Sequence, residues 1–257
     1  LNILESNQFG DIKTGRFFMR VAFTTADPSS DLKQADLKEE FKEISDQFGM
    51  DWKLFDMNVN TPAVIMVSKF DHCLVDLLYR RRIGTLKMDI AAVISNHDTT
   101  REIVNRENIP FHHIPVTSDT KQDAEDKIRK IIADTGAELI ILARYMQILS
   151  TDMANSYPGQ IINIHHSFLP SFKGAEPYSQ AYHRGVKMIG ATAHYVTPNL
   201  DEGPIIAQQV VPVRHDMSVE DMIGAGQEIE QSVMAKAIRA HTEHRILLNE
   251  GKTVVFD

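Results

Sequence analysis

Apolar and polar residues along this chain follow two rhythms, and the change comes near residue 58. The first stretch opens with the strand-like "LNILESNQFGD", passes through the turn-like "DIKTG" and continues in "GRFFMRVAFTT", which is rich in β-forming residues. "DLKQADLKEEFKEISDQFG" then spaces Leu32, Leu37, Phe41, Ile44 and Phe48 along one face of a helix and closes on Gly49. "DWKLFDMN" alternates like a short strand. Residues 1–57 therefore predict a small α+β unit of strand, turn, strand, helix and strand. Such a unit buries little by itself, and a further strand and helix ahead of Leu1 would complete a βαββαβ sandwich. The chain starts without methionine and already in strand-like sequence, so the native N-terminus is expected upstream of this numbering.

"VNTPAV" reads as a linker, and residues 58–257 change pattern. "AVIMVS" is a continuous apolar run, as in a strand covered on both faces. "HCLVDLLYRRRIG" is helical, "MDIAAVISN" a second buried strand, "TREIVNRENI" a helix and "PFHHIPV" a third strand. "KQDAEDKIRKIIADTG" is an amphipathic helix closing on glycine, and "AELIILARY" a fourth strand, followed by another helix and "INIHH". Alternation of this kind predicts an α/β domain with a mostly parallel, doubly wound sheet. "VKMIGATAHYVT" and "PIIAQQVVPV" add an antiparallel extension, and "SVEDMIGAGQEIEQSVMAKAIRAHTEHRIL" is a long terminal helix N-capped by Ser218.

Composition narrows the partners. The 257 residues are 43% hydrophobic and 24% charged, with a formal charge of −8. That overall field attracts neither nucleic acid nor an anionic membrane. The basic run "YRRRIG" is most simply a solvated helix end, with cations favourably placed at its C-terminus. A lone cysteine, Cys73, allows no internal disulfide and fits a reducing, cytoplasmic setting. No apolar run approaches the roughly 20 residues of a membrane-spanning helix.

In an open α/β sheet, ligands sit beyond the carboxyl ends of the strands. "INIHHSFLPSFKG" brings Asn163, His165 and His166 to such an end and then breaks into a loop. Asn163 and His165 are two apart and share a face, whereas His166 points elsewhere. Together an amide and an imidazole can donate two hydrogen bonds to one carbonyl oxygen and stabilise the charge that develops there during acyl transfer. The alternative is that they only cap the strand end. "GATAHYVTPNLDEGPIIAQ" carries His194 on a strand and Asp201 in a glycine-bearing loop; Asp201 is either a turn former or a general base. His194 is either a hydrogen-bonded strand residue or an orienting group. The paired histidines His112–His113 and His165–His166 alternate across their strands, poor geometry for joint ligation. His241 and His244 would share a helix face without a third ligand. Without HExxH or a cysteine cluster, catalytic zinc is not expected. "VSKFDHCLVDLL" lacks the glycine that lets backbone N–H groups approach a phosphate.

The combination of "NIHHSFLPSFKG", "GATAHYV" and "LDEG" resembles the formyltransferase fold family that uses 10-formyltetrahydrofolate. Within it, the chain looks most like the formyltetrahydrofolate deformylases. The first βα turn lacks a phosphate loop, and the N-terminal unit resembles an ACT domain (ferredoxin-like) missing its first strand and helix. The resemblance implies a formyltransferase-like catalytic domain over residues 58–257 and an ACT-like regulatory domain over 1–57. It implies catalytic roles for Asn163, His165 and Asp201, and a folate pocket at Met146, Gln147, Ile148 and Leu149 with His194 and Val196. The reaction implied is hydrolysis of 10-formyltetrahydrofolate to formate and tetrahydrofolate, serving one-carbon and purine metabolism. The alternative is transfer of the formyl group to an amine. No tightly bound cofactor or metal is implied. A homo-oligomer (dimer or tetramer) and an amino-acid effector such as methionine or glycine follow from the ACT resemblance.

Overall fold

The computed structural model describes residues 1–25, 33–170 and 177–257. Leu32 and the Ser171–Gly174 end of the "INIHH" stretch lie outside the described residues.

The largest element of the structure is a seven-stranded sheet. Its strands are β3 (Thr61–Val67), β4 (Met88–Ser95), β5 (Phe111–His113), β6 (Leu139–Leu142), β7 (Ile161–His165), β8 (Met188–Tyr195) and β9 (Ile205–Pro212), in spatial order β5-β4-β3-β6-β7-β8-β9. Pairing is parallel from β5 through β7. It is antiparallel from β7 to β8 and from β8 to β9, as the sequence predicts. The period of two splits each central strand between two cores. Ala63, Ile65 and Val67 of β3, with Leu139 and Ile141 of β6, pack on one face with Leu74 and Leu77 of α2 (His72–Arg82) and with α7 (Val219–Thr242). Val64, Met66, Ile140 and Leu142 pack on the other face with Ile128 and Ile132 of α4 (Lys121–Thr135) and Met153 of α5 (Thr151–Ser156). Also described beyond β3 are the helices α3 (Arg101–Arg106) and α6 (Pro177–Arg184). The basic run ends α2, where Arg80 pairs with Asp76 and Arg82 with Glu107.

The N-terminal unit departs from its expected order. Strands β1 (Asn2–Asp11) and β2 (Arg16–Thr24) form a two-stranded antiparallel sheet, and α1 spans Gln34–Gln47. Residues 51–58 form no strand. Gln34 Nε2 donates to the Leu54 carbonyl (2.7 Å), and Trp52 meets Phe41 edge-on with centroids 4.8 Å apart. The segment is thus held on α1 by side chains, with no ladder partner among the described residues. The apolar stripe of α1 is correspondingly open: Phe41, Ile44 and Phe48 are exposed.

The strand begins at Thr61, inside the expected linker. The C-terminal helix also ends sooner than its pattern suggests. It stops at Thr242, and Ile246–Asn249 (β10) and Lys252–Val255 (β11) form a hairpin. His244 sits past the helix at φ 52 with its ring stacked on Phe55, while His241 accepts or donates at Tyr195 Oη (2.8 Å), so the two do not share a helix face. At the other end Ser218 Oγ accepts from the Asp221 N–H and Asp221 bonds back, a reciprocal cap. Ser218→Ala should therefore lower unfolding free energy by about 1 kcal/mol in urea titrations, with the slope of the transition unchanged.

Candidate active site

The site begins with register. In the antiparallel pairing of β7 with β8, Asn163 stands opposite His194 and His165 opposite Thr192. Side chains of directly opposed residues share a face, so Asn163, His165 and His194 project together at the carboxyl end of β7. Thr192 Oγ1, fully buried, donates to the Ser167 carbonyl (2.9 Å) and accepts from the Leu169 N–H (3.1 Å) and from Gln208 Nε2 (2.9 Å). That pins the chain as it leaves the strand.

Asp201 arrives from the loop between β8 and β9. The loop turns back tightly, with the Tyr195 N–H donating to the Pro204 carbonyl at 2.9 Å. Gly203 lies so close that a Cβ there would stand 1.7 Å from the Tyr195 carbonyl oxygen. Asp201 adopts φ 56, a left-handed conformation that aspartate tolerates better than most residues. Its Oδ1 comes 3.3 Å from His165 Nδ1 and 3.7 Å from His194 Nε2. His165, and after it His194, hold the Asp201 carboxyl well below the usual carboxylate range. It is ionised at neutral pH.

His194 has a determined tautomer. Its Nδ1 lies 2.9 Å from the Tyr195 carbonyl, which can only accept, so Nδ1 carries the proton. Its Nε2 lies 3.3 Å from Asn163 Nδ2. His165 Nε2 is buried and finds no hydrogen-bond partner among the described residues. A buried imidazole nitrogen beside an ionised carboxylate can donate to, or accept from, a polar ligand atom.

His166 does not point to an opposite face. β7 ends at His165, the backbone bends, and the two imidazoles stack at 5.0 Å. Burial, then the Arg144 cation and His165, pushes His166 down to about 4, so it is neutral at physiological pH.

The Met146–Leu149 segment runs beside this group from the end of β6. The Met146 N–H donates to Ser68 Oγ (2.9 Å), and the Ser150 N–H donates to Glu125 Oε1 (2.7 Å). Between these anchors Met146 and Ile148 are exposed, Gln147 is half-buried, and Leu149 packs with Val196 on the core. Val196 is held by its N–H to the Ile161 carbonyl at 2.9 Å. Ser68, Glu125 and Gly203 were not singled out by sequence reasoning. Glu125 was findable, since an acidic residue beside Ala124 on the apolar face of α4 is an anomaly that asks for a partner.

One cluster has metal-ligand chemistry among the described residues: His72, Cys73 and Glu230 bring ligand atoms within 4.8 Å of one another. Glu230 is already engaged. His72 Nε2 lies 2.8 Å from Oε2, and Tyr178 Oη donates to Oε1 at 2.9 Å. Arg144 Nε stands 3.4 Å from Oε2. Burial pushes the Cys73 thiol far up, so thiolate is disfavoured. A hydrogen-bonded, charge-neutralised cluster accounts for these donors better than a cation does.

The comparisons agree with this architecture. The family pattern described as "Formyl transferase" matches residues 62–238. A formyltetrahydrofolate deformylase of Corynebacterium sp. is 51% identical over 253 residues, covering 98% of this chain and 88% of that protein. The crystal structure of a formyltetrahydrofolate deformylase from Pseudomonas syringae pv. tomato superposes with a TM-score of 0.95 at 45% identity, covering 99% of this chain and 85% of that one. A glycinamide ribonucleotide transformylase from Symbiobacterium toebii superposes with a TM-score of 0.73 at 28% identity, covering 81% of this chain and 99% of that one. On sequence and structure together, the chain belongs to the formyltetrahydrofolate deformylase family of the formyl transferase fold.

Proposed function

We propose that the protein hydrolyses 10-formyltetrahydrofolate to formate and tetrahydrofolate. The observation that carries the mechanism is the convergence of His165 and Asp201 from two segments, with Asn163 joined to the group through His194. A formyl amide is a poor electrophile, so the barrier lies in the charge gathering on its oxygen. The Asn163 amide and the otherwise unpartnered His165 Nε2 are the donors for that oxygen, and the Asp201 carboxylate lies against His165 Nδ1. Water bonds to the formyl carbon, and its proton passes to the Asp201 carboxylate. The carbon–nitrogen bond breaks as the folate nitrogen receives a proton. His194 Nε2 accepts from the Asn163 amide and holds it in register. Exposed Met146 and Ile148, with Gln147, Leu149 and Val196, offer an apolar ledge for the flat folate ring. The donors and the proton acceptor in this scheme are side chains of this chain, so the scheme uses no cofactor or metal.

The same reading extends to regulation and setting. Residues 1–57 are an ACT-like unit and residues 58–257 the catalytic domain; two long antiparallel strands followed by a helix, ahead of the family match at 62, support the division. A homo-oligomer and a small amino-acid effector, methionine or glycine, go with the ACT-like unit. A cytoplasmic setting goes with the single, buried, free Cys73. Among the described residues no helix is long and apolar enough to cross a membrane. The released formate and folate would feed one-carbon and purine metabolism.

Formate release from 10-formyltetrahydrofolate without any amine acceptor is the direct test. Asp201→Asn should abolish it while folate binding survives, and full turnover by that variant would remove Asp201 from the mechanism. Asn163→Ala should lower kcat by roughly 100- to 1,000-fold with little change in KM.

Gly203→Ala tests the loop that delivers Asp201. The added methyl collides with the Tyr195 carbonyl, so the loop must shift; activity should fall roughly 100-fold while circular dichroism stays native.

Acid stability gives an independent readout. Because the folded-state value of Asp201 is depressed, its stabilising contribution is present above the ordinary carboxylate range and is lost as pH falls below about 4. Urea titrations at neutral and acid pH should show a smaller acid-induced loss in Asp201→Asn than in the wild type.

A further inference from the structure

The strand order places the topological switch point between β3 and β6: the chain leaves β3 toward β4 and β5, then crosses back to β6 and β7. In open α/β sheets the crevice outside the carboxyl ends of those two strands is where a ligand ordinarily enters. Here that crevice is sewn shut. The Ser68 N–H, just past β3, donates to the Arg144 carbonyl past β6 (3.2 Å), and Ser68 Oγ accepts from the Met146 N–H. The loop after β3 has no glycine, and its Phe70 ring lies under the Arg144 guanidinium at 5.5 Å.

Behind that stacked pair stands Glu230 on α7, 1% exposed, neutralised from three sides by His72, Tyr178 and Arg144. Burial alone would raise its carboxyl; the His72 hydrogen bond and the Arg144 charge outweigh that and keep it ionised. Tyr178 reaches Glu230 across Gly226, where a Cβ would stand 2.0 Å from the phenol oxygen. Arg144 itself occupies φ 64, a conformation that costs a non-glycine residue free energy. Its Nε and Nη1 are buried without a hydrogen-bond partner among the described residues. A residue kept in a strained backbone position, and held there by charge and ring stacking, points to the space it fills. The cluster reaches the reacting centre through Tyr178, whose ring is 6.5 Å from His166, and through the stack of His166 on His165.

We propose that this filled switch-point crevice is what makes water the acceptor: Phe70, Arg144 and the Glu230 cluster occupy the volume through which an amine would reach the formyl carbon. The inference rests on the hydrolytic reading above and specifies its acceptor selectivity. Where the crevice is opened, the nitrogen of a primary amine bonds to the formyl carbon and the carbon–nitrogen bond to the folate breaks. The amine's proton passes to the folate nitrogen, giving a formylated amine and tetrahydrofolate with no change in oxidation state.

The test uses the full chain, 10-formyltetrahydrofolate and excess glycinamide, with formate and N-formylglycinamide measured together by mass spectrometry. Wild type should give formate alone. Arg144→Gly suits the left-handed backbone, and Phe70→Ala removes a half-exposed ring, so both should fold; their double variant should shift the product ratio toward the formyl amide by roughly 10- to 100-fold while formate release persists. An unchanged product ratio in folded variants, Phe70→Ala alone included, overturns the proposal, as does formyl amide from the wild type in proportion to the amine supplied. Absence of formate from the wild type would instead overturn the hydrolytic reading itself.

Discussion

The antiparallel pairing of β7 with β8 is the constraint on which the site depends. A parallel neighbour would meet β7 with a different register, and only an antiparallel one brings His194 directly opposite Asn163. It also sends the chain back past the same sheet end, so that the connection from β8 to β9 hangs over His165. The close approach of Gly203 to the Tyr195 carbonyl then sets how far that connection can swing. Asp201 meets His165 because a strand direction and one missing side chain together leave it nowhere else to go.

Two ionised carboxylates, Asp201 and Glu230, sit in the same end of the molecule and are treated differently. Asp201 is partly open, and among the described residues its ion-pair neighbours are the imidazoles of His165 and His194. Glu230 is buried against an arginine, a phenol and His72, and its charge is balanced in place. Between them His166 stays neutral, because burial and the nearby Arg144 cation both oppose its protonation.

The N-terminal unit shows how far local pattern can mislead. The stripe of α1 has helical spacing and forms a helix, yet Phe41, Ile44 and Phe48 remain exposed, and the one buried residue is Ser45. Spacing specifies the helix; it does not specify what lies against it. The same holds for residues 51–58, whose alternation suits a strand but whose backbone is met by the Gln34 side chain. At the C-terminus, apolar spacing ran past Thr242 because Ile246 and Leu247 suit a helix and a hairpin equally well.

The sequence by itself determined the alternation of strands and helices, the antiparallel extension, the cap at Ser218 and the presence of Asn163 and His165 on one strand face, because all of these follow from residue type at short spacing. It also marked the unusual turn after β3, since the absence of glycine there is a local fact. Tertiary structure alone decided that Asp201, thirty-six positions beyond His165, comes within 3.3 Å of it, that His166 stacks on its neighbour, and that Phe70, Arg144 and Glu230 meet to fill a crevice. Those contacts join segments far apart in the chain, and their geometry depends on strand order, on backbone angles such as that of Arg144 and on what each buried charge finds beside it. No periodicity along the chain encodes such distances; they exist only once the sheet has closed around them.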